Sequence, residues 1–431
     1  MDAIKRYFDL EAKHTTVRTE ILAGLATFLT MAYIVVVNPT ILSKAGMDFG
    51  AVFVATIVAA AIGTLIMGLW ANWPVALAPG MGLNAYFTYS VVLGLNQTWQ
   101  IALGAVFLGG VLVLILSLTG LREWIINSIP KSLKLGIGAG IGFFLAIIGL
   151  VNAGLVVDNP ATLVGIGDMT DPKVLLAGLG FCAMVIFTRL AVPGAIVISI
   201  LAVSIVAWVT GLAPFAGIFG AVPSLAPTFL QIDIGGAFSL ALLGVVFAFM
   251  FVDFFDTAGT LTSVANVADK VDAEGKIDGI GKAIVADSSA TVIGALIGTS
   301  NTTSYVESGA GISEGGRTGL TAVAVAAFFL MCLVLAPLAQ SIPAFATAPA
   351  LVFVAAYFAR NLRDLDWEDV TEYAPAILAA VLMPLTYSIA NGIAIGFISY
   401  AAIKILAGKW GEINWAVILV AVLGVLHYAF G

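Results

Sequence analysis

Few side chains in the apolar part of this chain can do ionic chemistry, and they fall in three short stretches. Asp253 and Asp256 stand three residues apart in FMFVDFFDT, Phe249–Thr257. On a helix that spacing puts both carboxylates on one face. Glu307 follows the hydroxyl- and amide-rich run Gly298–Ser304, inside GTSNTTSYVESGAGISEGGRTG, with Thr303 and Ser308 on either side of it. Asn84 follows Ala78-Pro79-Gly80-Met81-Gly82-Leu83. A carboxylate accepts N–H groups and can take up a proton, and an amide gives and accepts a hydrogen bond at once. Tyr305, Phe254, Phe255, Tyr86 and Phe87 offer flat faces for stacking. The set suits non-covalent recognition of a polar, planar heterocycle. Covalent catalysis is excluded on residue type: no histidine or lysine within the spans could serve as base to Ser300, Thr302, Thr303 or Ser304. The two histidines, His14 and His427, lie near the two ends, which excludes a histidine metal centre.

Two acids carry a second reading. Asp253 also fits a hydrogen-bonded brace between helices. Asp287, near the start of another apolar run, also fits a helix-start acid close to a membrane face.

The elements that position these groups are membrane spans. The chain has 431 residues, 61% hydrophobic and 10% charged, against roughly 25% charged in soluble domains. Its net charge of −7, with lysines and arginines scattered singly, excludes a nucleic-acid surface. Cys182 and Cys332 each sit in an apolar run and are expected as small core residues rather than a disulfide. The apolar run after residue 20 is too long for a signal peptide, so the N-terminus is expected to be retained.

At about 20 apolar residues per crossing, hydropathy places spans at Ile21–Leu42, Ala51–Trp70, Val75–Leu95, Ile101–Leu118, Leu133–Val151, Val174–Ala191 and Gly194–Gly211. After a long loop, Leu212–Gly236, come Ala237–Ser263, Ile284–Ile297, the half-span Ser304–Ser313, Leu320–Ala339, Ala344–Ala359, Ala374–Ile389 and Gly392–Ala407. Trp415–Phe430 is a further apolar run, spanning or interfacial. With a cytoplasmic N-terminus and alternating sides, all of the 18 lysines and arginines except Lys44 and Lys173 fall inside, Arg122 and Lys276 included. That is the bias of the positive-inside rule, and it supports fourteen spans.

The two halves echo each other. Ser128-Ile129-Pro130 opens the fifth span and Ser341-Ile342-Pro343 the twelfth. The third and tenth spans both begin with Gly, Pro or hydroxyl residues in place of a first helical third. Seven being odd, the second half runs inverted. Inverted repeats with paired interrupted segments point to a transporter with its site at the midplane.

APGMGLNAYF (Ala78–Phe87), FVDFFDT (Phe251–Thr257) and YVESGAG (Tyr305–Gly311) closely resemble the azaguanine-resistance (AzgA-like) purine permeases of the nucleobase–cation symporter, or nucleobase–ascorbate transporter, superfamily. Thr19–Tyr33 and Met383–Ala390 resemble the same group, so the similarity runs through the whole chain. Asp287-Ser288-Ser289-Ala290 is more polar than that similarity leads one to expect.

The resemblance implies an all-α polytopic fold of two inverted seven-helix repeats, like the uracil permeases, with short strands in spans 3 and 10 meeting at the midplane. It implies a cytoplasmic segment (1–20), a core domain (21–120 and 237–340), a gate domain (121–236 and 341–410) and an apolar C-terminal segment (411–431). The family's eighth-span acid falls on Asp256, its tenth-span acid on Glu307 and its third-span amide on Asn84. Tyr305, Ser308 and Thr303 complete the expected substrate contacts, with Asp253, Asp287, Thr30 and Phe87 in supporting places. The implied activity is proton-coupled uptake of adenine, hypoxanthine or guanine across the cell (inner) membrane by alternating access, with no cofactor and no metal, and with a homodimer through the gate. Two neighbouring acids in a dry site resist being ionised together, so either Asp256 or Glu307 can link proton and substrate occupancy. The alternatives are a uracil- or xanthine-type permease, or an anion transporter or channel of the same fold, whose site should present a cation or open helix ends rather than carboxylates.

Overall fold

A computed structural model describes residues 2–119, 129–239, 242–268, 270, 271 and 277–430. Arg122, Ser128, Lys276 and the side chain of His427 lie outside the described residues. Among the described residues, ten helical segments are long and apolar enough to cross a membrane, and Ala195–Val209, Val370–Leu385 and Trp415–Val425 are shorter apolar helices. The protein is a multi-pass, largely helical membrane protein.

A short helix α1 (Asp2–Tyr7) precedes the first span, which is broken in two, α2 (Val17–Met31) and α3 (Ile34–Leu42), with the joint at Ala32–Tyr33. Hydropathy gave it as one uninterrupted helix. α4 (Phe49–Ile66) follows and ends in a π-helical turn, Met67–Ala71. The third span is strand β1 (Leu77–Pro79), helix α5 (Met81–Ala85) and a π-helical continuation to Gly94, after which α6 (Trp99–Thr119) returns. α7 (Lys131–Asn152) leads to a hairpin that hydropathy does not reveal, β2 (Val156–Asn159) with β3 (Leu163–Ile166). α8 (Pro172–Arg189) and α9 (Ala195–Val209) close the first half.

The loop after α9 holds only a four-residue helix, α10 (Ile234–Ala237). It is nonetheless fixed: Gly220, Leu230 and Asp233 donate backbone N–H groups to the carbonyls of Val334, Leu296 and Gln100. The second half repeats the pattern with α11 (Leu243–Val267), α12 (Ile280–Ile297), strand β4 (Thr302–Ser304) and α13 (Ser308–Ser313). Next come α14 (Gly319–Met331), α15 (Ala336–Ser341), α16 (Ala344–Ala359), α17 (Val370–Leu385) and α18 (Ile389–Leu406), and α19 (Trp415–Phe430) ends the chain. α13 starts at Ser308, so Glu307 stands at the position just before the half-helix, without a side-chain capping bond, instead of lying within it.

Apolar tails give helices no hydrophobic reason to associate, so small residues and polar ties do it. α7 packs against α16 and α17. A Cβ on Gly136 of α7 would lie 2.4 Å from the carbonyl oxygen of Ala376, so only glycine admits that approach. The buried Glu20 carboxylate accepts from the N–H groups of Arg317, Thr318 and Thr321 and from both threonine hydroxyls, which fastens α2 to the start of α14. Lys404 of α18, fully buried, pairs with Glu372 of α17 at 2.6 Å and with Glu412. A charge at a helix end inside a bundle is stable when paired in this way.

α19 runs back along α18. Gly424 sits against Ala394 and Ile398, the Tyr428 hydroxyl reaches Asn391, and Glu412 meets Lys404 at the other end. Cys182 is exposed on α8 and Cys332 half-buried, both free. The apolar surroundings of Cys182 in sequence face outward from the bundle, where lipid wants them, and not into a core.

Candidate functional site

Two broken spans can meet inside a membrane only if their backbone groups find partners there. β1 and β4 pair antiparallel, with Ala78 opposite Thr303, and Gly80 N–H and Tyr305 N–H extend the ladder to the carbonyls of Asn301 and Ala76. The remaining groups go to side chains. Thr64 Oγ1 accepts from Leu77 N–H and donates to Leu77 O. Ser308 Oγ accepts from Ala76 N–H at 3.0 Å, and Thr291 donates to Thr302 O at 2.9 Å.

Beside the crossed strands lies a cavity of about 630 Å³. One wall comes from the α2–α3 joint, the two breaks and α11; the opposite wall comes from α7, α9 and α16, through residues such as Ile141, Ile196 and Phe353. The cavity reaches Glu314 and Arg360 at one end.

Asp256, Tyr305, Glu307, Thr303 and Thr30 all line this cavity. Glu307 Oε1 accepts from the Tyr33 hydroxyl at 2.8 Å. Asp256 has no hydrogen-bond partner among the described residues and is partly open to the cavity. The Tyr305 hydroxyl is committed to Pro79 O at 2.5 Å, which leaves its ring. Thr303 shares a hydrogen bond with Thr257 at 3.1 Å.

Other expected residues stand behind this lining. Asn84 is fully buried, accepts from the Ser300 hydroxyl and does not reach the cavity. Ser308 is spent on the Ala76 N–H, and Phe87 lies in the apolar core. Asp253 accepts from Asn301 Nδ2 at 3.1 Å and lies 3.2 Å from the Thr291 hydroxyl, whose single proton it shares with Thr302 O. Asp287 accepts from Ser304 N–H and Ser304 Oγ, both at 2.6 Å, and from Thr257 at 2.5 Å. Three residues on a helix turn through about 300°, so Asp253 and Asp256 diverge by about 60°, enough for one to brace β4 while the other faces the cavity.

The profile of the permease family matches residues 18–395 of this sequence. The chain belongs to the permease family. It is similar to the adenine permease AdeP of Escherichia coli, 46% identical over 427 residues, with 99% of this chain and 96% of that one covered. It is also similar to the guanine/hypoxanthine permease PbuO of Bacillus subtilis, 44% identical over 425 residues with 96% and 98% covered. Among solved structures it shares a fold with the transmembrane domain of a cyanobacterium bicarbonate transporter, BicA, at a TM-score of 0.65 and 17% identity over 86% of this chain and 96% of that one. This permease is therefore a transporter and not an enzyme, as its residue types indicated.

Two cavity residues of the permease escape a reading of the sequence. Tyr33 lies in the apolar run MAYIVVVNP, with no glycine to announce the break beside it. Asn301 stands in plain view in the GTSNTTS run, but nothing in its neighbours says that it borders the cavity.

Proposed function

We propose that this permease carries purine nucleobases into the cell with protons. The observation that carries this reading is the pair Asp256 and Glu307, one from each broken or adjoining element, on the wall of one cavity beside the strand crossing. Their acceptors suit the ring N–H and exocyclic N–H groups of a purine, and the Tyr305 ring offers a stacking face. Two relatives named for adenine and for guanine and hypoxanthine support the substrate class.

On this reading α2 to α6 and α11 to α15 form a core domain, and α7 to α9 and α16 to α18 a gate that also joins two copies. The N-terminus is cytoplasmic and the protein sits in the cell membrane. Glu314 and Arg360 then mark an inward opening, and the core carries the site past the gate. The fold shared with BicA raises anion transport as a second reading, but carboxylates on the cavity wall repel an anion.

Uptake of labelled adenine by cells that express the chain tests the proposal. Unlabelled adenine, hypoxanthine or guanine should compete and uracil should not, and collapse of the proton gradient should abolish accumulation. Sulfate or bicarbonate uptake without purine uptake would overturn it. Tyr33→Phe keeps the ring and removes the hydroxyl that fixes Glu307. One lost hydrogen bond to a charged group is worth about tenfold or more, so KM for the purine should rise by that factor at unchanged protein level. An unaltered KM removes Tyr33 from the site.

A further inference from the structure

A purine presents acceptors as well as donors. Beside each of its N–H groups stands a ring nitrogen that can only accept. Asp256 and Glu307, as carboxylates, serve the N–H groups alone. A ring nitrogen taken out of water without a donor carries the cost of an unmade hydrogen bond.

The hydroxyls on the acids' side of the cavity are nearly all spent within the protein. Thr30 donates to Thr27 O, Tyr33 to Glu307, Tyr305 to Pro79 O and Ser313 to Gly309 O. Ser304 donates to Asp287 at 2.6 Å. Thr257 gives its proton to Asp287 as well, so in its pair with Thr303 the donor is Thr303. Thr188 and Tyr357 come from α8 and α16, across the cavity.

Thr260 is different. It stands four residues after Asp256 on α11, about 6 Å further along the axis and about 40° round it. A helical hydroxyl commonly turns back to the carbonyl one turn before, as Thr262 does to Ala258 O at 2.7 Å. The Thr260 hydroxyl has no hydrogen-bond partner among the described residues. The residue is half-buried and lines the cavity, and its oxygen is not sealed within the bundle. An uncommitted donor thus stands one turn from the uncommitted carboxylate of Asp256, on one face of one helix.

We infer that Thr260 Oγ1 donates to a ring nitrogen of the base, next to the N–H that Asp256 accepts. The inference rests on the purine reading and deepens it, because it names the group that selects for a ring nitrogen. Two side chains of α11 then read one edge of the base, an N–H and its neighbouring acceptor. A base with C–H in place of that nitrogen leaves the hydroxyl facing carbon and is discriminated against.

The test is ligand binding by the purified full-length chain, in wild type, Thr260→Val and Thr260→Ser. Valine keeps the shape and removes the hydroxyl; serine keeps the hydroxyl. Thr260→Val should bind adenine about tenfold more weakly, and Thr260→Ser should bind it as wild type does. Thermal unfolding of the ligand-free variants should stay within a few degrees of wild type, and Thr260→Ala takes the place of the valine variant should that one fold poorly. 1-Deaza-, 3-deaza- and 7-deazaadenine each replace one ring nitrogen by C–H and locate the contact. One of them should bind wild type about tenfold more weakly than adenine does and lose nothing further in Thr260→Val. Equal weakening of adenine and all three analogues by Thr260→Val overturns the contact to a ring nitrogen. Unchanged adenine affinity in the variant without the hydroxyl overturns it too, and both results leave purine transport standing. Absence of purine binding by the wild-type chain overturns the transport reading and this contact with it.

Discussion

Glu307→Gln is expected to leave a folded protein that no longer moves protons with purine, with uptake down about a hundredfold. The substitution is nearly isosteric, and the Tyr33 hydroxyl that donates to Glu307 Oε1 at 2.8 Å can donate equally to an amide oxygen. What changes is the other half of the group, where an acceptor becomes an NH2 donor. A base N–H that met a carboxylate oxygen now meets another N–H, and both are left unpaired out of water. A hydrogen bond to a charged group is worth about 1.5–3 kcal/mol and an unpaired buried group costs about 1–3 kcal/mol more. At 1.4 kcal/mol per factor of ten, a hundredfold loss lies within that range. Proteoliposomes with an internal pH dye separate the two effects. Normal purine-driven proton entry in Glu307→Gln would remove Glu307 from coupling and leave Asp256 to carry it.

Asp287→Ala should fail differently, by loss of structure. Asp287 touches no cavity surface but accepts three hydrogen bonds, from Ser304 N–H, Ser304 Oγ and Thr257 Oγ1. Without it, the last residue of β4 has a backbone N–H and a hydroxyl with no acceptor, deep in the bundle. A cost of about 3 kcal/mol or more follows. In detergent, unfolding followed by tryptophan fluorescence should shift down by roughly 3–5 °C, and added adenine should not restore it. A variant that unfolds within 2 °C of wild type but binds no purine would make Asp287 a ligand contact instead of a brace.

Sequence context set Glu307, after a break, apart from Asp287, which also fitted a helix-start acid, but it did not show what Asp287 holds. Only the packing shows that Asp287 backs the strand. The interruptions of the third and tenth spans were legible, because glycine, proline and clustered hydroxyls have no use on a lipid-facing helix. Their pairing as strands followed from the family resemblance, and Ala78 does lie opposite Thr303. Asn84 was legible as a polar residue after a break, but its direction was not. Its amide oxygen goes to Ser300, a partner 216 residues away. The break at Ala32–Tyr33 is silent in sequence for a related reason. Its stability comes from what surrounds Tyr33, including Glu307 from the other half of the chain. The hairpin β2–β3 escaped because Val156–Ile166 is too short and mixed for a hydropathy window to notice.

One late feature bears on the whole molecule. α19 lies antiparallel along α18, tied near both ends, and its 16 residues extend about 24 Å. Lys404 joins α17, α18 and the turn before α19 through Glu372 and Glu412, so loss of that one buried charge would loosen three helices together.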